Sequence, residues 1–331
     1  MQVTVESRDL RRMFADLRPV LRGSLDGGQL GINVEGGFLI FTAKAGIIYE
    51  RRFPCNDPGP IYATVIYKDI SDFLPGDGPA TLDITDKSVG IRTARFSTTF
   101  ASAYGEVKPY VRRCSDPKPV QAGTYLKLAQ LFGELSPVSK SLKSESSVVL
   151  QPPCAVCKYP TVWLELPYAG FQTSISTKEL RTIANFNPKH CAVGDDAVEF
   201  YNGSALLAIP RTPVAKAKTC DEILKNPGEP LQLYSTGCLE HCVSLARAAK
   251  GPCKLTCCSD GWYVAYKNQE VEMSFSVGQC SDPYYTLDTY VEYLPMLFRL
   301  LGEEITGYFV KADNAVMFEV PGVFKLLHSI I

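Results

Sequence analysis

One phrase recurs three times along the 331 residues, and it confines the chain to a fold built by repetition. In each copy an extended apolar–polar run leads into a short amphipathic helix, a turn and a strand. An Asp-bearing tight turn and a further strand follow. The first copy spans a run over 61–66, a helix over 68–74, a strand over 81–84, the turn Thr85-Asp86-Lys87 and a strand over 89–100. The second spans 171–176, a helix over 177–186, a strand over 190–193, Gly194-Asp195-Asp196 and a strand over 197–209. The third spans 284–288, a helix over 291–302, a strand over 305–310, Lys311-Ala312-Asp313-Asn314 and a strand over 315–327. Ile66, Ile175 and Leu287 are 109 and then 112 positions apart, and Asp86, Asp195 and Asp313 are 109 and then 118 apart. Self-similarity at this period predicts three related domains rather than a solenoid of short repeats. The predicted domains are 1–116, 117–222 and 223–331, each near the common domain size.

Each third also carries a front half. In the first, a strand over 2–5 leads to Ser7, read as an N-cap, and a helix from Arg8 to Leu21, followed by strands near 29–34, 38–43 and 47–53. In the second, a helix opens at Gly123-Thr124, and strands follow at 147–151 and 161–166. In the third come a strand over 231–234, a helix over 236–250 and a meander over 254–258, 262–267 and 270–277. Every domain is thus a doubled unit of helix plus strands, six half-units in all. Linkers are expected where Pro and charge cluster, at 114–119 and 219–230. Period-two alternation such as Thr81-Leu82-Asp83-Ile84 suits antiparallel sheet with one solvated face, giving an α+β class.

The composition, 46% hydrophobic and 21% charged, is that of an ordinary globular protein. No apolar run approaches the roughly 20 residues of a membrane helix, and the opening Met-Gln-Val-Thr-Val-Glu reads as a strand, not a signal peptide. With twelve cysteines and no secretion signal, reduced thiols and a cytoplasmic setting are expected. The one CxxC, Cys154-Ala155-Val156-Cys157, is placed at a hairpin tip; neither His190-Cys191 nor Cys253…Cys257-Cys258 completes a convincing metal set. No metal and no cofactor is expected. Only His190, His241 and His328 are present, none within a hydrolase or metalloprotease motif, and there is no phosphate-cradling glycine loop. Glu35-Gly36-Gly37 and Asp26-Gly27-Gly28 read as hairpin turns. An enzyme is not indicated.

A net charge of −1 leaves no global field, so a nucleic-acid role must rest on local sorting of charge. The first helix shows such sorting. Leu10, Phe14, Leu17 and Leu21 form an apolar stripe, while Arg8, Arg11, Arg12, Arg18 and Arg22 lie opposite, against only Asp9 and Asp16. In the helix over 177–186, Leu180, Ile183 and Ala184 point inward and Lys178 and Arg181 outward. Lys127, Arg247, Lys250 and Arg299 add to the basic helical set, with Lys140 and Lys143 just beyond a helix end. Strands and turns carry much of the acid, including Asp83, Asp86, Asp195, Asp196, Glu199, Glu270 and Glu272. For each cation alone a solvated helix face is the simpler reading. Together they can hold a phosphate backbone without reading sequence.

In order and spacing the chain resembles the DNA sliding clamps of the bacterial DNA polymerase III beta-subunit type. The resemblance rests on residues 2–10, on 66–75 followed by Arg95-Phe96-Ser97-Thr98, and on 292–294 through Asp313 to Val323-Phe324-Lys325-Leu326-Leu327. It implies three tandem clamp domains closing as a head-to-tail homodimeric ring, with helices lining the hole and sheets outside. It further implies double-stranded DNA as a non-sequence-specific partner, and a polymerase and clamp loader bound through short peptide motifs. Ring closure would then use Phe96 and Thr98 against the helix end at Leu245 and Ala249. The peptide groove would use Pro213, Val214, Leu326, Leu327, Ile330 and Ile331, although Leu-Leu-His-Ser-Ile-Ile also reads as an ordinary core strand. The family's Asp-Gly-His-Arg-type turn is replaced here by Lys158-Tyr159-Pro160, and its Met-Pro-Met-type tail has no counterpart. A divergent, phage-type clamp fits these departures, acting in the bacterial nucleoid or host cytoplasm. The alternative class is a β-rich structural or virion protein of repeated domains.

Overall fold

The computed structural model describes residues 1–21, 28–56, 59–71, 78–103, 105–134, 147–158, 162–224, 230–232, 253–258, 261–267, 272–278, 285–290, 306–310, 315–320, 322 and 324–329. The chain begins β1 (Gln2–Glu6), α1 (Ser7–Leu21), β2 (Gln29–Glu35), β3 (Phe38–Ala45), β4 (Ile47–Pro54), β5 (Ile61–Ile66), α2 (Tyr67–Ser71), β6 (Pro79–Ile84), β7 (Ser88–Arg92) and β8 (Ser97–Ala101). It continues β9 (Lys118–Pro119), α3 (Thr124–Glu134), β10 (Ser147–Gln151), β11 (Cys154–Lys158), β12 (Val162–Pro167), β13 (Thr173–Ser176), α4 (Thr177–Phe186), β14 (His190–Val193), β15 (Ala197–Asn202) and β16 (Ala205–Pro210). Then come α5 (Cys220–Ile223), β17 (Pro230–Gln232), β18 (Cys253–Cys258), β19 (Gly261–Lys267), β20 (Glu272–Gly278), β21 (Tyr285–Tyr290), β22 (Thr306–Val310), β23 (Ala315–Val320) and β24 (Phe324–Ser329).

Two strand patterns each occur three times. The order β5-β2-β3-β4 returns as β13-β10-β11-β12 and as β21-β18-β19-β20. The order β1-β6-β7-β8 returns as β9-β14-β15-β16 and β17-β22-β23-β24. Antiparallel pairing of β4 with β16 and of β12 with β24 fuses four of these six units into two eight-stranded sheets. The α+β class and the doubled-unit reading therefore hold in the strand topology.

The described chain forms two compact units. One holds residues 1–126 and 178–212, the other 127–177 and 213–331. In the first, the eight-stranded sheet runs β5-β2-β3-β4-β16-β15-β14-β9 beside the four-stranded β1-β6-β7-β8. Its core includes Leu30, Ile32, Leu39, Phe41, Tyr49, Phe200 and Leu207. In the second, the sheet runs β13-β10-β11-β12-β24-β23-β22-β17 beside β20-β19-β18-β21.

Several expectations are corrected. Each predicted further strand after an Asp turn is a hairpin: β7 and β8 turn at 93–96, β15 and β16 at Gly203, β23 and β24 at Gly322. Gly203 and Gly322 have φ of 61° and 70°, the left-handed region in which glycine avoids a Cβ clash. Ser7 does not cap α1. It is the first helical residue, its hydroxyl is buried without a hydrogen-bond partner, and its N–H donates to Gly78 O at 3.0 Å. Cys154 and Cys157 are not at a hairpin tip either. They sit buried on β11, paired on both sides, and the tip is Pro152-Pro153. The helices expected over 236–250 and 291–302 lie outside the described residues. Among those described, no helix is long and apolar enough to cross a membrane.

Candidate nucleic-acid interface

The α1 helix buries Leu10, Met13, Phe14, Leu17, Val20 and Leu21, a stripe at helical spacing. Each such burial stabilises the packed helix by about 1.5–3 kcal/mol. The stripe lies on β3 and β4, and Phe14 also meets Tyr67 of α2 at a ring distance of 6.0 Å. Tyr67 Oη donates to Phe14 O at 3.1 Å. With that face fixed, Arg8, Arg12 and Arg18 are exposed and Arg11 is half-buried. Arg18 in the last turn and Asp9 in the first also match the helix dipole.

Tyr49 of β4 fixes a second helix on the same sheet face. Its ring meets Phe186 of α4 edge-on at 6.2 Å, while its hydroxyl donates to Asp16 Oδ2 of α1 at 3.3 Å. Leu180, Ile183 and Ala184 of α4 are buried, and Lys178 and Arg181 are exposed. The start of α3 packs on this face too, through Tyr125 against Phe200 at 5.4 Å. The opposite face, to which Glu50 and Glu199 point, receives the connector after β8. Tyr110 N donates to Glu50 Oε2 at 2.6 Å and Arg113 N to Glu199 Oε1 at 2.7 Å. One face is thus helical with exposed cations, and the other is strapped by main chain.

The two aspartates of α1 do not share the arginines' exposure. Arg51 of β4 places Nη2 at 3.9 Å from Asp9 Oδ1 and Nη1 at 3.9 Å from Asp16 Oδ2. Burial raises the Asp16 carboxyl above its ordinary range, opposed by the Tyr49 hydrogen bond and by Arg51 and Arg12. Tyr49 is held well above the ordinary phenol range, first by burial and then by Asp16. Sequence reasoning missed Arg51, because it stands in a strand where its alternation with Tyr49 and Phe53 is the only sign that it faces the helix.

Of the remaining expected cations, Lys127 is exposed on α3 in the second unit. Arg22, Lys140, Lys143, Arg247, Lys250 and Arg299 lie outside the described residues, as do Leu245 and Ala249. Phe96 and Thr98, expected at ring closure, are half-buried at and just before β8, the outermost strand of its sheet.

Of the residues expected at the peptide groove, Pro213, Val214, Leu326 and Leu327 are described, all in the second unit. Leu326 and Leu327 are wholly buried. Leu327 is covered by Cys220 and Leu224 of the α5 segment together with Met317, and Leu326 alternates to the other face of β24. The α5 segment is held there by a capping box, Thr219 with Glu222, and by Cys220 N donating to Glu165 Oε2 at 2.8 Å. Both leucines therefore take the core-strand reading. Pro213 is exposed and Val214 half-buried, and Ile330 and Ile331 lie outside the described residues. Lys158 sits over the Trp163 ring at 5.4 Å. Cys114, beside Glu199, is pushed up to about 11 by burial and then by that carboxylate, a thiol unsuited to nucleophilic work.

No protein-family model matches the chain, and no curated protein is similar to it in sequence. Its fold is nevertheless that of solved sliding clamps. The DNA polymerase III subunit beta from Pseudomonas aeruginosa superposes at a TM-score of 0.78 over 100% of both chains, with 14% identity. A Helicobacter pylori beta clamp in complex with 5-chloroisatin gives 0.79 at 13% identity, again over 100% of both chains. The Helicobacter pylori beta clamp bound to a DNA ligase peptide gives 0.75 at 13% identity, with the same full coverage.

Proposed function

We propose that the chain is a DNA sliding clamp, a non-catalytic processivity factor that encircles duplex DNA and tethers a polymerase. One observation carries the reading. In a chain with the clamp fold, the helical face of the first unit's large sheet presents Arg8, Arg12, Arg18 and Arg181 outward, while the acids of α1 are turned to Arg51. Cations aimed at phosphates from helix surfaces attract any duplex equally, which is what sliding requires. The residues 1–116, 117–222 and 223–331 are read as the three clamp domains, and two copies close head to tail. Peptide partners are the second part of this reading, supported by the ligase peptide held by a relative of the same fold. In this chain Pro213 and Val214 offer apolar surface for them, and the two core leucines do not. The setting proposed is cytoplasmic. Nothing in the fold or its matches supports the structural-protein alternative.

The test is the salt dependence of duplex binding, followed by fluorescence anisotropy of a labelled short duplex. Reversing Arg8, Arg12 and Arg18 to Glu should weaken binding at about 50 mM salt at least tenfold and flatten the slope of log K against log salt. Unchanged affinity and slope in a folded triple variant would remove α1 from the DNA-facing surface.

A further inference from the structure

Arg51 is nearly buried beneath α1, with a side chain 13% exposed. It stands on the core face of β4 between Tyr49 and Phe53, its guanidinium 5.2 Å from the Phe53 ring centre. Its Nε is buried with no hydrogen-bond partner, so the terminal nitrogens are what meet Asp9 and Asp16. Those two carboxylates are the only acids on a helix that carries four arginines. Burying a guanidinium is costly unless its charge is answered, so its place below the helix asks for a reason beyond packing.

We propose that Arg51 is a positioning residue for DNA binding: it turns Asp9 and Asp16 toward the sheet and neutralises them, leaving the outer face of α1 to the arginines. This rests on the DNA-facing reading of α1 and adds the element that makes that face cationic. Without Arg51 the two carboxylates, 38% and 21% exposed, would stand within a helix turn of Arg8 and Arg12 and repel the same phosphates. With it, the repulsion is answered from inside, where salt screens least. The Tyr49 hydroxyl, two positions away on the same strand, donates to the Asp16 Oδ2 that Arg51 also approaches. A lysine would not serve equally, because one ammonium cannot reach both carboxylates in the way a two-armed guanidinium does.

Three proteins decide it: the unaltered chain, Arg51→Met, and Arg51→Met combined with Asp9→Asn and Asp16→Asn. Each is checked for folding by thermal melting and titrated with the same short duplex across salt. The expected result is a loss of about tenfold for Arg51→Met at low salt, narrowing as salt rises, and full recovery in the triple variant. Asparagine at 16 still accepts from Tyr49, so the recovery isolates charge from packing. Equal binding by folded Arg51→Met, or a triple variant as weak as Arg51→Met, would overturn the proposal. If Arg51→Met alone fails to fold, the triple variant carries the test: binding as tight as the unaltered chain supports the role, and fivefold weaker binding overturns it. An unaltered chain with no salt-dependent duplex affinity would instead refute the DNA-facing reading itself.

Discussion

At Gly31 the absence of a side chain lets a connector lie directly on the sheet. A Cβ added there would stand 2.2 Å from Val107 O, far inside any tolerated contact. That carbonyl accepts from Asn33 Nδ2 at 3.0 Å, and Val107 N donates to Thr64 Oγ1 at 3.2 Å. Asn33 is 1% exposed, so lifting Val107 would strand a buried amide, at a cost of about 1–3 kcal/mol before any strain is counted. Gly31→Ala is therefore expected to lower stability by about 2 kcal/mol or more, read as a fall in the urea midpoint with the slope unchanged. An unchanged midpoint would show that the connector can yield without cost. From the sequence alone Gly31 reads as one residue of a strand, because close backbone approach leaves no periodic trace. The apolar stripe of α1 was legible, since helical spacing marks which residues face the sheet. Arg51 was not, since its partners are more than thirty positions away.

At the scale of elements, one device appears in both units. Glu50 on β4 and Glu165 on β12 occupy the last strand of the same repeated meander, and each accepts a main-chain N–H from a connector, Tyr110 at 2.6 Å and Cys220 at 2.8 Å. A second acceptor helps each time: Glu199 takes Arg113 N at 2.7 Å, and Gln151 takes Ala217 N at 2.7 Å. The carboxylates of Glu50 and Glu199 are thus committed to the strap, at 1% and 0% exposure, and are not surface charge. Sequence reasoning counted Glu199 among the acids sorted onto strands, because composition cannot tell a solvated carboxylate from one that holds a connector. Similarly, the second strand of each further run hid a hairpin whose turn, four residues at 93–96, carries no glycine in the first copy. Removing the acceptor should free the strap. Glu50→Ala is expected to cost about 2–3 kcal/mol, and Glu165→Ala less because Glu165 is only half-buried. Glu50→Gln keeps an acceptor and should cost less than Glu50→Ala; urea melts that rank the three otherwise would show the straps to be incidental.

At the scale of the whole molecule, the repeated strand orders leave two outer strands with a defined complement. Within the chain, the last strand of one pattern pairs with the last strand of the other twice, β4 with β16 and β12 with β24. The remaining last strands are β8 and β20, each outermost in a four-stranded sheet. If the rule that joins the units inside the chain also joins chains, β8 of one copy pairs antiparallel with β20 of another. The contact is head-to-tail, and it closes a ring only if the rotation per chain divides a full turn. Light scattering against a chain mass of 36.4 kDa should then give a discrete dimer. Proline cannot donate to a ladder, and successive strand residues point their N–H groups to opposite edges. Of Thr98→Pro and Thr99→Pro, one therefore disturbs the pairing with β7 and the other only the outer edge of β8. The outer-edge variant should remain folded, with its melting temperature little changed, and run as a monomer. A dimer that persists in both folded variants would place the interface elsewhere, and a large open polymer from the unaltered chain would mean the head-to-tail rule holds without closure.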